Sequence, residues 1–148
     1  MIGRLLGVDT GTKRVGLAIS DPDQRIASPL ETLERKSAEH DAGYFLKLVA
    51  REEVAGIVVG LPVHTDGREG VKAAEARAYG AWLAQVTELP IEFADERFTT
   101  VHAESALWDA GLTHRRRKDR RDRVAAQIML QAYLDAKREK PQMNADER

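Results

Sequence analysis

The chain has no cysteine. That absence excludes disulfide staples, thiolate nucleophiles and zinc–thiolate centres together. Long apolar runs are missing as well: none approaches the roughly 18 residues of a membrane-spanning helix. The opening MIGRLLGVDTGTKR has too brief an apolar stretch for a secretory signal. Glycine and proline are sparse, at 11 and 5 of 148 residues, while 43% of the chain is hydrophobic. A packed core can therefore form, and wholesale disorder is excluded. The expectation is a cytoplasmic protein with one domain over residues 1–140 and a polar, disordered tail over 141–148.

An excess of one charge is lacking too, with a formal net charge of −1. This argues against a uniformly basic nucleic-acid coat. The cations are instead concentrated in one place. Arg115, Arg116, Arg117, Lys118, Arg120, Arg121 and Arg123 follow one another, interrupted only by Asp119 and Asp122. Such a cluster can grip phosphate even in a neutral protein, because salt screens charges beyond roughly 8–10 Å. A solvated turn is the plainer reading of a charge run taken alone.

Hydrophobic patterning supplies the architecture. Leu5 to Asp9 and Val15 to Ser20, joined by the turn Thr10-Gly11-Thr12, form an antiparallel hairpin. Ile26 to Leu33 adds a strand that Pro29 makes an edge or breaks. Ser37 caps a helix to about Glu53, with Phe45, Leu48 and Val49 on one stripe. The uninterrupted apolar run Ala55 to Leu61 is a buried parallel strand ended by Pro62. A helix from about Glu69 to Val86 is expected to face the core through Val71, Ala74, Ala78 and Trp82. Ile91 to Ala94 is a last strand, Thr99 or Thr100 caps a further helix ended by Gly111, and a final helix covers about Asp119 to Lys137. The fold class is α/β: a mixed sheet of about five strands with helices on both faces.

In such sheets, ligands gather outside the carboxyl ends of the parallel strands. Asp9 ends the first strand and Glu96 directly follows the last. Singly, each would pass for a turn acid or a helix cap. Asp122 changes the balance, because it leads the apolar stripe Ala125, Ala126 and Met129 of the final helix, and so points toward the sheet. A buried unpaired carboxylate costs several kcal/mol, so it needs a cation, an arginine partner or capping duty. Three inward carboxylates suit a hard divalent cation, Mg²⁺ or Mn²⁺, and phosphodiester hydrolysis without a side-chain nucleophile. Lys13 and Arg14, beside the Gly11 turn, can hold a phosphate. Arg97 can steady the acids or contact the scissile strand, and both roles stay open. His64 follows the central strand and could support the site. His40, His102 and His114 read as surface residues, while Trp82 and Trp108 read as core.

In combination, LLGVDTGTKRVGLAIS, IVVGLPVHTDG, FADERFTT and DRVAAQIMLQAYLD resemble the YqgF/RuvX family of the RNase H-like superfamily, in order and near the spacing, from about Leu5 to Leu134. The first motif alone also resembles the phosphate loop of sugar and acetate kinases. The family resemblance implies an RNase H-like fold and a metal-binding acidic set falling on Asp9, Glu96 and Asp122. It also implies a cytoplasmic nuclease maturing the 5′ end of the small-subunit (pre-16S) ribosomal RNA precursor. Holliday junction resolution is the alternative substrate class, and a two-fold junction would call for a homodimer. Two positions depart from the family pattern: Thr99-Thr100 stands where Ser-Thr is common, and Arg123 replaces a small residue after Asp122. The competing classes are a non-catalytic RNA- or ribosome-binding factor and a phosphotransferase using Thr10 to Thr12. The chain looks too short for the second, since related kinases pair two such domains.

Overall fold

The computed structural model describes residues 2–96 and 114–146, with side chains of the final helix described from Arg120 to Arg138. Among these residues, strands β1 (Arg4–Thr10), β2 (Arg14–Ser20), β3 (Ala27–Glu34), β4 (Val54–Leu61) and β5 (Ile91–Asp95) form one sheet in the order β3-β2-β1-β4-β5. β1, β4 and β5 run parallel, and β2 and β3 run antiparallel to their neighbours. Helices α1 (Ala38–Arg51), α2 (Val71–Thr87) and α3 (His114–Asp146) complete the described structure. This is the mixed α/β sheet that the sequence predicts.

Alternation along β1 decides which side chain serves which face. Leu6 and Val8 join Phe45, Leu48, Ala73, Ala76 and Leu83 in the core beneath α1 and α2. Leu5 turns the other way, to meet Ala126, Met129, Leu130 and Leu134 of α3. Each large apolar side chain buried there stabilises the fold by about 1.5–3 kcal/mol. By the same alternation Asp9 belongs to the α3 face, while Thr10 belongs to the face of α1 and α2.

Glycines let α3 lie close on that face. A methyl at Gly7 would stand 3.0 Å from the Leu130 Cβ, and one at Gly16 would overlap the backbone carbonyl of Asp122. Gly16 pairs with Asp9 in the β1–β2 ladder, so the closest approach of the helix falls beside the acid. Gly16→Ala must therefore push back backbone rather than a flexible side chain. The expected loss is about 2–3 kcal/mol, a drop of roughly 5–10 °C in a thermal melt. An unchanged melting temperature would mean that α3 does not rest on β2 there.

Several expectations need correction. In α2 the buried stripe is Ala73, Ala76, Tyr79, Gly80 and Leu83, whereas Val71, Ala74 and Ala78 are exposed and Trp82 is half-buried. Alanine carries little hydrophobic contrast, so an alanine-rich helix does not declare its face. The helix is fixed instead by Gly80, where a methyl would stand 2.8 Å from the Phe93 ring of β5. α3 begins at His114 rather than Asp119, taking Arg115 to Lys118 into helix, and it runs through Pro141 to Asp146, where a tail is expected. Arginine and lysine are good helix formers, which explains the early start. In its long stripe Val124, Leu130 and Leu134 are buried with Ala126 and Met129, while Ala125 is half-buried. Pro29 behaves as expected: β3 is an edge strand, and the β2–β3 register slips between Leu17 and Ala18, the partner of Pro29. The helix expected after Thr99 or Thr100, with Arg97, His102 and Trp108, lies outside the described residues. None of the described helices is long and apolar enough to cross a membrane.

Candidate active site

Asp9 lies one residue before the end of β1, and Glu96 extends β5 by one step, its N–H donating to the Leu61 carbonyl of β4 at 3.1 Å. β4 lies between their strands, and what fills the gap is Gly60. A methyl there would overlap the Glu96 carboxyl group, so only glycine leaves room for that side chain to lie across β4 toward β1. The result is a hydrogen bond between the Asp9 and Glu96 carboxyl groups. Two acids separated by 86 intervening positions thus meet at the carboxyl ends of parallel strands.

Such a contact requires a shared proton. Burial raises the Asp9 carboxyl above the ordinary range; its hydrogen bond with Glu96 pulls the other way, and the charge of Asp122 raises it further. Burial also raises Glu96, and the charge of Asp9, the bond to Asp9 and the charge of Asp95 all act in the same direction. Two carboxylates held together out of water cannot both ionise without a positive partner.

Asp122 projects from α3 toward the same place, but its Oδ2 accepts a hydrogen bond from Nε of Arg14 at 2.8 Å. Their side chains are 25% and 27% exposed, so neither is solvated enough for the pair to be incidental. Asp122 is close enough for its charge to act on Asp9, yet among the described residues no three acids or histidines come together as a ready metal cage. The arginine partner, one of the alternatives open for a buried Asp122, is the one the structure adopts.

The donor chemistry of Asp9 and Glu96 suits a hard divalent cation. Both offer carboxylate oxygens, the two cannot both ionise without a positive partner, and a cation between them would take the place of the shared proton.

The predicted cations fall into three groups. Lys13 is exposed in the β1–β2 turn and Arg14 is tied to Asp122. Arg120 and Arg123 are partly buried and Arg121 is exposed, one or two residues from Asp122, while Arg115, Arg116, Arg117 and Lys118 occupy the first turns of α3. Arg97 lies outside the described residues. His64 is exposed in the loop after β4, with Nε2 2.9 Å from where a methyl on Gly70 would stand. Asp41 is a buried acid that sequence reasoning passed over; its only signal was its place in the first turn of α1, where the helix dipole favours acids.

Comparison with known proteins decides the family. The RuvX family model, "Holliday junction resolvase", matches residues 3–136. The chain belongs to the RuvX family. RuvX relatives include a protein of Rhodopirellula baltica named "Putative pre-16S rRNA nuclease", 48% identical over 134 residues that cover 90% of this chain and 78% of that one. A protein of Rhodobacter capsulatus with the same name is 46% identical, covering 90% and 84%. Among solved structures, RuvC of Thermus thermophilus in complex with a Holliday junction superposes with a TM-score of 0.57 at 16% identity, covering 93% of this chain and 97% of that one. The Fowlpox virus resolvase bound to junction DNA gives 0.54 at 11% identity, covering 92% and 98%. At these identities the two structures establish the RuvC-like, RNase H fold of this RuvX protein.

Proposed function

We propose that this RuvX protein is a divalent-metal-dependent nuclease that trims the 5′ end of the small-subunit (pre-16S) ribosomal RNA precursor. The observation that carries the reading is the Asp9–Glu96 carboxyl pair, half-buried at the carboxyl ends of β1 and β5. The substrate follows from the names of the relatives at 46–48% identity. Asp9 and Glu96 would hold the ion, with Asp122 as the third acid once it exchanges Arg14 for the cation. Mg²⁺ or Mn²⁺ supplies positive charge where negative charge accumulates on the reacting phosphate. Lys13 and Arg14, at the β1–β2 turn after Asp9, would hold a neighbouring phosphate. Arg115 to Lys118, Arg120 and Arg121, all on α3, would hold the nucleic-acid backbone.

The test is cleavage of a 5′-extended precursor rRNA fragment and of a synthetic four-way DNA junction, each with Mg²⁺, with Mn²⁺ and with chelator. Metal-stimulated cutting of the precursor is expected. Cutting of the junction alone would assign the resolvase chemistry of the family description instead, and tight RNA binding with no cutting under any metal would make the protein a non-catalytic rRNA-binding factor.

The cations of α3 make their own prediction. Replacing Arg116, Arg117, Arg120 and Arg121 by alanine should weaken RNA binding at least tenfold at physiological salt. It should also flatten the plot of log affinity against log salt by about 0.7 for each single-strand phosphate that is no longer neutralised. An unchanged slope would place the RNA elsewhere.

A further inference from the structure

The face of the sheet opposite the acids carries a cavity of about 720 Å³ that the cleavage reading does not use. It opens between the β1–β2 turn, the start of α1 and the outer side of α2. Asp9 and Thr10 are consecutive, yet strand alternation sends Asp9 to the acid site while Thr10 lines this cavity.

Three features of the lining point to one kind of ligand. Arg35, Lys36 and Lys72 bring three cations to the walls. Two acids face them, and the buried one is already engaged: both Asp41 oxygens accept the Lys36 backbone N–H at 3.3 Å, and Oδ1 lies 3.1 Å from Nδ1 of His40. The second, Glu75, lies on α2 one turn from Lys72. An aromatic wall is formed by Tyr79 and the half-buried Trp82, their ring centres 5.2 Å apart, with Pro62 and Ala78 extending it. Finally, Tyr79 is 9% exposed and its hydroxyl is buried without any hydrogen-bond partner, the one such side-chain atom among the described residues. Buried hydroxyls are rarely left unpaired. The guanidinium covering that ring belongs to Arg35, an exposed residue 5.0 Å from the ring centre, held at its far end by the Gly11 carbonyl at 2.8 Å.

Cations for an anion, a flat apolar wall for a ring and a spare hydroxyl for a polar group, in a space of small-molecule size, describe a nucleotide. We propose that this cavity binds a nucleotide, its phosphate among Arg35, Lys36 and Lys72, its base against Trp82, and the Tyr79 hydroxyl bonded to it. The nucleotide is either free or the 5′-phosphorylated end of an RNA strand; the chemistry recognised is the same. Since the site lies across the sheet from Asp9 and Glu96, it stands apart from the cleavage reading.

Calorimetric titration of the full chain with AMP, GMP, UMP and CMP, with inorganic phosphate, with adenosine and with 5′-phosphorylated tetra-adenylate tests this. At least one nucleotide or the tetranucleotide should bind at sub-millimolar concentration, ten times tighter than phosphate or adenosine. Binding of the tetranucleotide alone would identify the RNA end as the source, and binding of mononucleotides would identify the free ligand. Tyr79→Phe should weaken binding about five- to tenfold while leaving the melting temperature of the free protein equal or higher, because an unpaired hydroxyl has been removed. The pair Lys36→Ala and Lys72→Ala should weaken it at least tenfold. Glu96→Gln should bind as the wild type does, whether or not it cleaves RNA. No binding by any probe up to 5 mM (roughly −3 kcal/mol), or binding indifferent to Tyr79→Phe and to the lysine pair but lost in Glu96→Gln, overturns the assignment.

Discussion

Glu96→Gln is expected to cost at least a hundredfold in precursor cleavage and, in the metal-free protein at neutral pH, to raise the melting temperature. Both effects have one cause. The Glu96 carboxyl is held above its ordinary range by burial, by the charge of Asp9, by its bond to Asp9 and by the charge of Asp95. Below the pKa of the unfolded chain, near 4.5, both states carry the proton and the group exerts no penalty. As pH rises from there toward the folded value, the unfolded chain ionises freely while the folded one must keep its proton, so stability falls. Glutamine has no proton to lose and keeps a hydrogen bond to Asp9. Each unit of raised pKa that is removed returns about 1.4 kcal/mol, or roughly 3–6 °C for a domain of this size. The advantage of the variant should vanish near pH 4 and grow toward neutrality. Mn²⁺ should raise the melting temperature of the wild type and not of the variant, since an ion that binds only the folded state stabilises it by mass action. Loss of the ion also removes several kcal/mol of charge stabilisation at the reacting phosphate, which sets the hundredfold minimum. A variant that melts lower at pH 7 and cuts normally would mean the pair is structural.

The acids of the site were more legible in the sequence than the contacts that bring them together. Asp9 and Glu96 were legible because they stand at the carboxyl ends of expected parallel strands, where ligands gather, and because Asp122 added a third inward acid. Gly60 could not be read the same way, since its role depends on Glu96 crossing β4, a contact 36 residues distant in the chain. Gly16 was visible only as a small residue in a strand, although it sets the depth of α3. The register of α2 was hidden by its alanines, whose burial depends on what packs against them. The cavity on the far face was beyond reach for a further reason: Arg35, Asp41, Lys72 and Tyr79 come from a strand end and two helices, and each reads singly as an ordinary surface or core residue. Asp122 lay between these cases. Its position on the inner stripe of α3 was legible and its choice of Arg14 was not, because the two are 108 residues apart.

The proposed exchange of that arginine for a cation leads to the second large effect. Asp122→Asn is expected to lower cleavage at least a hundredfold and Mn²⁺ affinity about tenfold, while the melting temperature moves by only a few degrees. The side-chain pair is a quarter exposed, so its loss costs the fold about 1 kcal/mol, and the backbone of Asp122 remains fixed by its seat on Gly16. Arg14→Gln should act in the opposite sense on the ion. Without the guanidinium, Asp122 faces Asp9 unneutralised, the metal-free protein loses stability at neutral pH, and Mn²⁺ binds more tightly. RNA cleavage by Arg14→Gln then separates two duties of the arginine: tighter metal with slower cutting means that it also holds a phosphate of the substrate, and tighter metal with unchanged cutting means that it serves only to hold Asp122 until the ion arrives. The opposing shifts in Mn²⁺ affinity are the decisive measurement. Were both variants to bind Mn²⁺ as the wild type does, the Arg14–Asp122 pair would be no more than an anchor between β2 and α3, and Asp9 and Glu96 would have to hold the ion unaided.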